Sequence, residues 1–215
     1  MEPEQMSRSP HRGSDLHRFI TFIDACVAIA ITLLVLPLVE AAGDADRSVP
    51  LHRFLHEHQN LFFSFLLSFV VIATIWTGHH RYMSQVAAAD HPMMLWILAW
   101  TLCLVLLPAP TALLSHYDSK SGTVPLYIGL LLISSLCSAG LAFHVSRKPE
   151  LWAEGVTKAD VLPASAIAMV ACYVVALALG TLVPDVNFAA LFLLFFAGPL
   201  EALVRRRMIA RSVQQ

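Results

Sequence analysis

Charge is what this chain has least of. Asp, Glu, Lys and Arg make up 13% of its 215 residues, about half the share of an average soluble domain. With 57% of residues hydrophobic, too little polar surface remains to coat a water-soluble globule, and a lipid bilayer is the natural solvent. The net charge of −1 carries no basic excess and so no pointer to nucleic acid. Cysteine is scarce as well. Cys26, Cys103, Cys137 and Cys172 lie in four different apolar runs. Their spacing matches neither a metal knuckle nor a secreted disulfide frame, so they read as small buried apolar residues. No Ser-His-Asp set, Walker loop or Gly-rich cofactor turn occurs, which argues against an enzyme and against a cofactor. The Thr-Val-Gly-Tyr-Gly filter of ordinary potassium channels is missing too.

Six long apolar runs are present, at about 19–39, 60–80, 93–115, 124–145, 161–183 and 186–204. Each has the roughly 17–25 residues that a spanning helix needs. The expectation is an all-α membrane protein with six transmembrane helices. Residues 1–15 form a polar, disordered cytoplasmic tail, 16–207 one six-helix transmembrane domain, and 208–215 a cytoplasmic C-terminal tail. The last two runs are so close that they must form an antiparallel hairpin. The first run is long for a signal-peptide core and carries Asp24 inside it, so it reads as a span.

Lys and Arg set the orientation. With the N-terminus inside, the inner segments hold Arg8, Arg12, Arg18, Arg81, Arg147, Lys148, Lys158, Arg205, Arg206, Arg207 and Arg211. The outer segments hold only Arg47, Arg53 and Lys120. This is the asymmetry of the positive-inside rule, and it places both termini in the cytoplasm. An odd number of spans would break it.

Asp24 is the most informative residue. A carboxylate in mid-bilayer costs roughly 2.5–3.5 kcal/mol, so it wants a partner within the protein. If the first run rises, the second descends, and its end brings Trp76, His79, His80 and Arg81 level with Asp24. Arg18, Asp24, Trp76 and His79 or His80 are the expected polar clamp between the first two spans. The clamp is either structural or a site of proton or ion handling. His79-His80 alone does not make a membrane di-metal oxygenase, which needs several His-rich boxes. The outer residues His52, His56 and His58 could hold a metal, since His52 and His56 share a helical face, but a solvated loop is the simpler reading. Gly129, Gly140, Gly180 and Gly198 are expected to be packing points between helices. Pro37 and the Pro108-Ala109-Pro110 stretch should bend or end their helices.

At about 100° per residue, and with Ile29 at zero, Leu33 falls near +40°, Leu36 near −20°, Thr32 near −60° and Phe22 near +20°. Asp24 falls near −140°, on the other side. The first span thus has one bulky apolar stripe with a single hydroxyl in it, and its charge behind. Such stripes usually face lipid or core, but this one could also face a symmetry axis.

These residues carry a resemblance. Arg18-Phe19-Ile20-Thr21-Phe22-Ile23-Asp24, followed by Ala28 to Leu36 reading Ala-Ile-Ala-Ile-Thr-Leu-Leu-Val-Leu, is similar to the first helix of the prokaryotic transmembrane protein 175 family of potassium channels. The stretch from Ser64 and Phe65 through Trp76 to His79 and His80 resembles the family's second helix. Residues 107–114 (Leu-Pro-Ala-Pro-Thr-Ala-Leu-Leu) resemble the end of its third. Two positions depart from the pattern: Ile23 stands where the family has Ser, and residues 91–115 lack the family's frequent Asn. The resemblance implies a homotetramer in a prokaryotic plasma membrane, with four copies of the first helix around a pore that conducts K⁺. It implies a hydrophobic constriction at Ile29, further rings at Leu33 and Leu36, and a selectivity-aiding hydroxyl at Thr32. Two other readings stay open: an ion-coupled small-solute transporter with a buried Asp/His site, and a membrane scaffold that transports nothing.

Overall fold

The computed structural model describes residues 14–46, 48–116 and 122–182. The expected sixth span at 186–204, both tails and Gly198 lie outside the described residues. The described chain is all-helical: α1 Ser14–Leu33, α2 Leu36–Gly43, α3 Leu51–Glu57, α4 Gln59–Met83, α5 His91–Leu106, α6 Pro108–His116, α7 Thr123–Ser146 and α8 Ala164–Leu182, with a 3₁₀ turn at Pro149–Leu151. Five stretches are long and apolar enough to cross a membrane: Asp15–Gly43, Gln59–Met83, His91–Leu114, Thr123–Ser146 and Ala164–Leu182. They correspond to the first five apolar runs.

Two of these spans are broken, each beside proline. In the first, Leu34 and Val35 donate to Ile31 and Thr32 through 3₁₀-like bonds of 3.3 and 3.2 Å. The helix restarts as α2 with Pro37 in its first turn, where a missing N–H costs nothing. Leu36 therefore belongs to a separate segment. Its angular place beside Ile29, which assumed one unbroken helix, does not carry across this break. In the third span the helix ends at Leu106, and α6 starts on Pro108.

The core is built on α7, buried over most of its length between α5 and α8. Trp100, Leu104, Tyr127, Ile128 and Leu131 are among its fully buried side chains. The glycines divide. A Cβ on Gly140 would lie 2.8 Å from the Trp96 ring, so this glycine is a true point of close approach between α5 and α7. A Cβ on Gly180 would make only ordinary contacts, at 3.5 Å or more. At Gly129 it would meet nothing within 4 Å among the described residues, so no close approach is seen there among them. Cys103, Cys137 and Cys172 are buried, Cys26 half-buried, and all four are free thiols.

The connectors after α4 and after α7 join at the end of the bundle that the charge pattern assigns to the cytoplasm. The Ala87 amide donates to the Leu151 carbonyl and the Ala153 amide to the Gln85 carbonyl, each at 2.9 Å. The Trp152 indole N–H caps the Val145 carbonyl at 2.8 Å.

Candidate functional site

The first span has two unlike faces. Ile23, Val27 and Ala30 are each 1% exposed, and with Leu16 and Leu34 they form the stripe that α1 buries, chiefly against α5. On the opposite side Ile29 is 60% and Phe22 57% exposed. Thr32, Leu33 and, beyond the break, Leu36 are exposed as well. All four residues expected to line a pore thus lie uncovered in the single subunit. Thr32 Oγ1 donates to the Ile29 carbonyl at 2.8 Å. Its one hydrogen is used within the helix, so the oxygen keeps its lone pairs for an outside donor or cation.

Asp24 sits behind this stripe, as expected. The Trp76 indole N–H donates to its Oδ1 at 2.8 Å. His80 Nδ1 lies 3.9 Å from Oδ2, and the His80 ring leans on Trp76 with centroids 5.3 Å apart. The choice between the two histidines is resolved: His80 faces Asp24, whereas His79 stacks on Trp100 of α5, with centroids 4.0 Å apart and planes 16° apart. His79 thus ties α4 to α5. Arg18 is not brought to Asp24. It is exposed, near −20° on the helical wheel and so in line with the Ile29 stripe. Ile23 is fully buried beside Asp24, His79, His80 and Ile97. Where a Ser would offer a hydroxyl, this chain packs a branched apolar side chain.

A second aspartate, which the sequence reading passed over, holds a denser network. Asp90 caps α5: its side chain accepts from the Met93 amide at 3.0 Å. It also takes His144 Nε2 at 2.9 Å and Lys148 Nζ at 2.6 Å. Partial burial alone would raise the Asp90 carboxyl. The hydrogen bonds from Lys148, His144 and Met93 outweigh it and hold the group at about 2. The Asp90 bond in turn raises Lys148 above its ordinary value. The signals were legible: an Asp immediately before His-Pro at a span's start is a helix cap, and His144 and Lys148 stand four residues apart at the end of α7.

On the other side of the bundle His58 stacks on Phe54, with centroids 4.4 Å apart, and its Nδ1 meets the Phe54 carbonyl at 3.0 Å. His52 and His56 are exposed. No group of three or more metal-binding side chains comes together among the described residues.

Fold and site define a class: a multi-pass, all-helical membrane protein whose first span is packed on one face only and braced from behind through a carboxyl group. The family described as "Endosomal/lysosomal potassium channel TMEM175" matches residues 18–108. A potassium channel of Chamaesiphon minutus is 30% identical over 69% of this chain and 74% of its own length. A potassium channel of Streptomyces collinus is 30% identical over 63% of this chain and 66% of its own. The mouse endosomal/lysosomal proton channel TMEM175 is 27% identical over 60% of this chain, which spans about a quarter of that longer protein (26%). The crystal structure of a lysosomal potassium-selective channel TMEM175 homologue from Chamaesiphon minutus superimposes with a TM-score of 0.69 at 27% identity, over 87% of this chain and 98% of that one. A variant of the potassium channel MtTMEM175 shares the fold, with a TM-score of 0.57 at 16% identity. The chain belongs to the TMEM175 family, whose members are ion channels and not enzymes.

Proposed function

We propose that four copies of this chain form a potassium-selective cation channel in a prokaryotic plasma membrane, with both termini in the cytoplasm and α1 around a central pore. The observation that carries the reading is the two-faced α1. Uncovered apolar side chains are common on membrane helices, and α4, α5 and α7 have them too. A hydroxyl in the stripe is not particular to α1, since Thr74 and Thr77 stand in that of α4. What sets α1 apart is that its stripe, with Thr32 in it, lies bare while Asp24 on another face is held by Trp76. A helix turned towards lipid has no use for that arrangement. A helix turned towards a pore needs a rigid back and a defined front.

Ile29 would then form the narrowest ring, with Leu33 next along α1 and Leu36 on the far side of the break. Rings of apolar side chains close a pore by excluding water, and opening requires widening enough for a partly hydrated ion. K⁺ gives up its water more readily than Na⁺ and passes first. The Thr32 oxygen lies one helical turn from Ile29 and could replace one of the waters that the ion sheds. Trp76 and His80, with Asp24, fix the angle at which α1 presents these rings. A single subunit offers one such helix and cannot enclose a pore, so conduction requires the closed assembly.

Planar-bilayer recording of verified tetramers under bi-ionic K⁺/Na⁺ conditions tests the reading. Unitary currents that reverse in favour of K⁺ are expected. Slow, saturable flux without unitary currents would move the weight to a transporter, and no flux at all to a scaffold.

A further inference from the structure

The bare stripe of α1 runs on towards the cytoplasm, beyond the residues that the pore reading uses. Below Ile29 come Ala25, Phe22 and Arg18, near −40°, +20° and −20° on the helical wheel. All three are exposed. From Arg18 to Leu33 the only other charged residue of the helix is Asp24, on another face and held by Trp76. Arg18 is thus the single charge on the stripe over that length. It makes no hydrogen bond or ion pair among the described residues. Asp15, nearer the end of the helix, is engaged in an interaction of its own.

A guanidinium stays charged at any pH at which a protein is folded. On a lipid-facing helix, an arginine near the end is drawn out to the headgroups. On a stripe that faces a symmetry axis, it meets its own copies across the mouth of the path. Like charges gathered around a low-dielectric opening deplete ions of the same sign there.

We propose that Arg18 forms the inner mouth of the conduction path, as a ring of four guanidinium groups that repels K⁺ arriving from the cytoplasm and makes the current rectify inwardly. The inference rests on the channel reading above and adds the residue that gives conduction a direction. The ring acts on supply and not on ion choice. Eleven residues separate Arg18 from Ile29, about 16 Å along an unbroken helix. At about 0.1 M salt the field of an exposed charge fades within about 10 Å. Outward current draws its K⁺ through the ring first and is reduced more than inward current. The constriction at Ile29, with Thr32 beside it, still decides between K⁺ and Na⁺.

The full chain is recorded in inside-out patches from expressing cells, where every channel has the same orientation. In symmetric KCl at about 10 mM, charges act over about 30 Å, and wild type should pass less outward than inward current. Arg18→Gln should raise the outward current at least about 2-fold and bring the outward-to-inward ratio towards one. Arg18→Glu should carry the ratio past one, and Arg18→Lys, which keeps the charge, should behave as wild type. At about 1 M KCl the reach falls to about 3 Å, and all the ratios should converge. Under bi-ionic K⁺/Na⁺ conditions at about 0.1 M the reversal potential should be the same in wild type and variants. A low-salt ratio in Arg18→Gln and Arg18→Glu equal to that of wild type overturns the inference and puts Arg18 among the headgroups. A difference that persists at 1 M KCl overturns it as well, since it marks an altered shape and not a lost charge. Arg18→Gln and Arg18→Lys keep a long side chain, so the comparison stands if Arg18→Glu does not assemble. The channel reading fails on another readout, the reversal potential of the wild type, so the two are judged separately.

Discussion

Asp24 and Asp90 are both carboxyl groups on helices of the same bundle, and the protein treats them differently. Asp90 joins α5 to the end of α7 through a cap, a histidine and a lysine. Asp24 has one close bond, from an uncharged indole, and a histidine at 3.9 Å. The helices they serve differ in the same sense. α7 is packed on both sides and meets α5 so closely at Gly140 that a methyl group would not fit. α1 is packed on one side and broken at Leu34–Val35. The contrast separates a rigid body from an attached helix. The body's polar network is redundant, and the helix is held by a single close polar contact.

Substitutions rank along this contrast. Asp90→Ala should cost most stability, about 1 kcal/mol for the cap and about 1.5 kcal/mol for the bond from His144. Thermal unfolding in detergent reads this, and a loss no larger than that of Asp24→Ala would break the contrast. Acid makes the same point. The folded Asp90 carboxyl lies at about 2 against an ordinary 3.8, so it is depressed. Its contribution is fully present above the ordinary value and is lost as pH falls through 4 towards 2. The gap in melting temperature between wild type and Asp90→Asn should close over that window and stay constant from pH 5 to 7.

Gly140→Ala comes next. It presses a Cβ into Trp96 and should cost about 1–2 kcal/mol, with Trp96→Leu restoring most of it. Equal melting of the single and double variants would show that the close approach is soft. Asp24→Ala leaves the Trp76 N–H without its acceptor at membrane depth, for about 1 kcal/mol. Its sharper effect should be on assembly, read as the tetrameric fraction by native mass spectrometry, while Asp24→Asn, which keeps an acceptor, should assemble better. A normal tetramer with altered currents would assign Asp24 to conduction instead. Ile29→Asn should change stability least, within about 0.5 kcal/mol, because its site is uncovered in the subunit.

Much of this was legible in the sequence, for identifiable reasons. Hydropathy and run length yielded the five described spans, because a bilayer tolerates few alternatives to a helix. The pairing of Asp24 with Trp76 followed from depth alone, since antiparallel helices bring equal depths together. Depth could not separate His79 from His80, which lie at almost the same level. Only the facing helices decide, and Trp100 claims one ring. Asp90's place before His-Pro marks a cap, but the network was missed because its partners at the end of α7 and just beyond it, 54 and 58 residues away, meet it only in the fold. The angular place of Leu36 was read on a continuous helix, which the turn at Leu34–Val35 interrupts; the residue is nonetheless uncovered, as Ile29, Thr32 and Leu33 are.

The central claim is that the uncovered stripe of α1, unlike those of the other helices, borders the conduction path. The same substitution at two isoleucines that are both more than half exposed tests it: Ile29→Asn on α1 and Ile133→Asn on α7, each recorded as reconstituted tetramers under bi-ionic K⁺/Na⁺ conditions. The account predicts that Ile29→Asn raises the resting current and moves the reversal potential towards zero, while Ile133→Asn leaves both as in wild type. Unchanged current and ion preference in Ile29→Asn would contradict it.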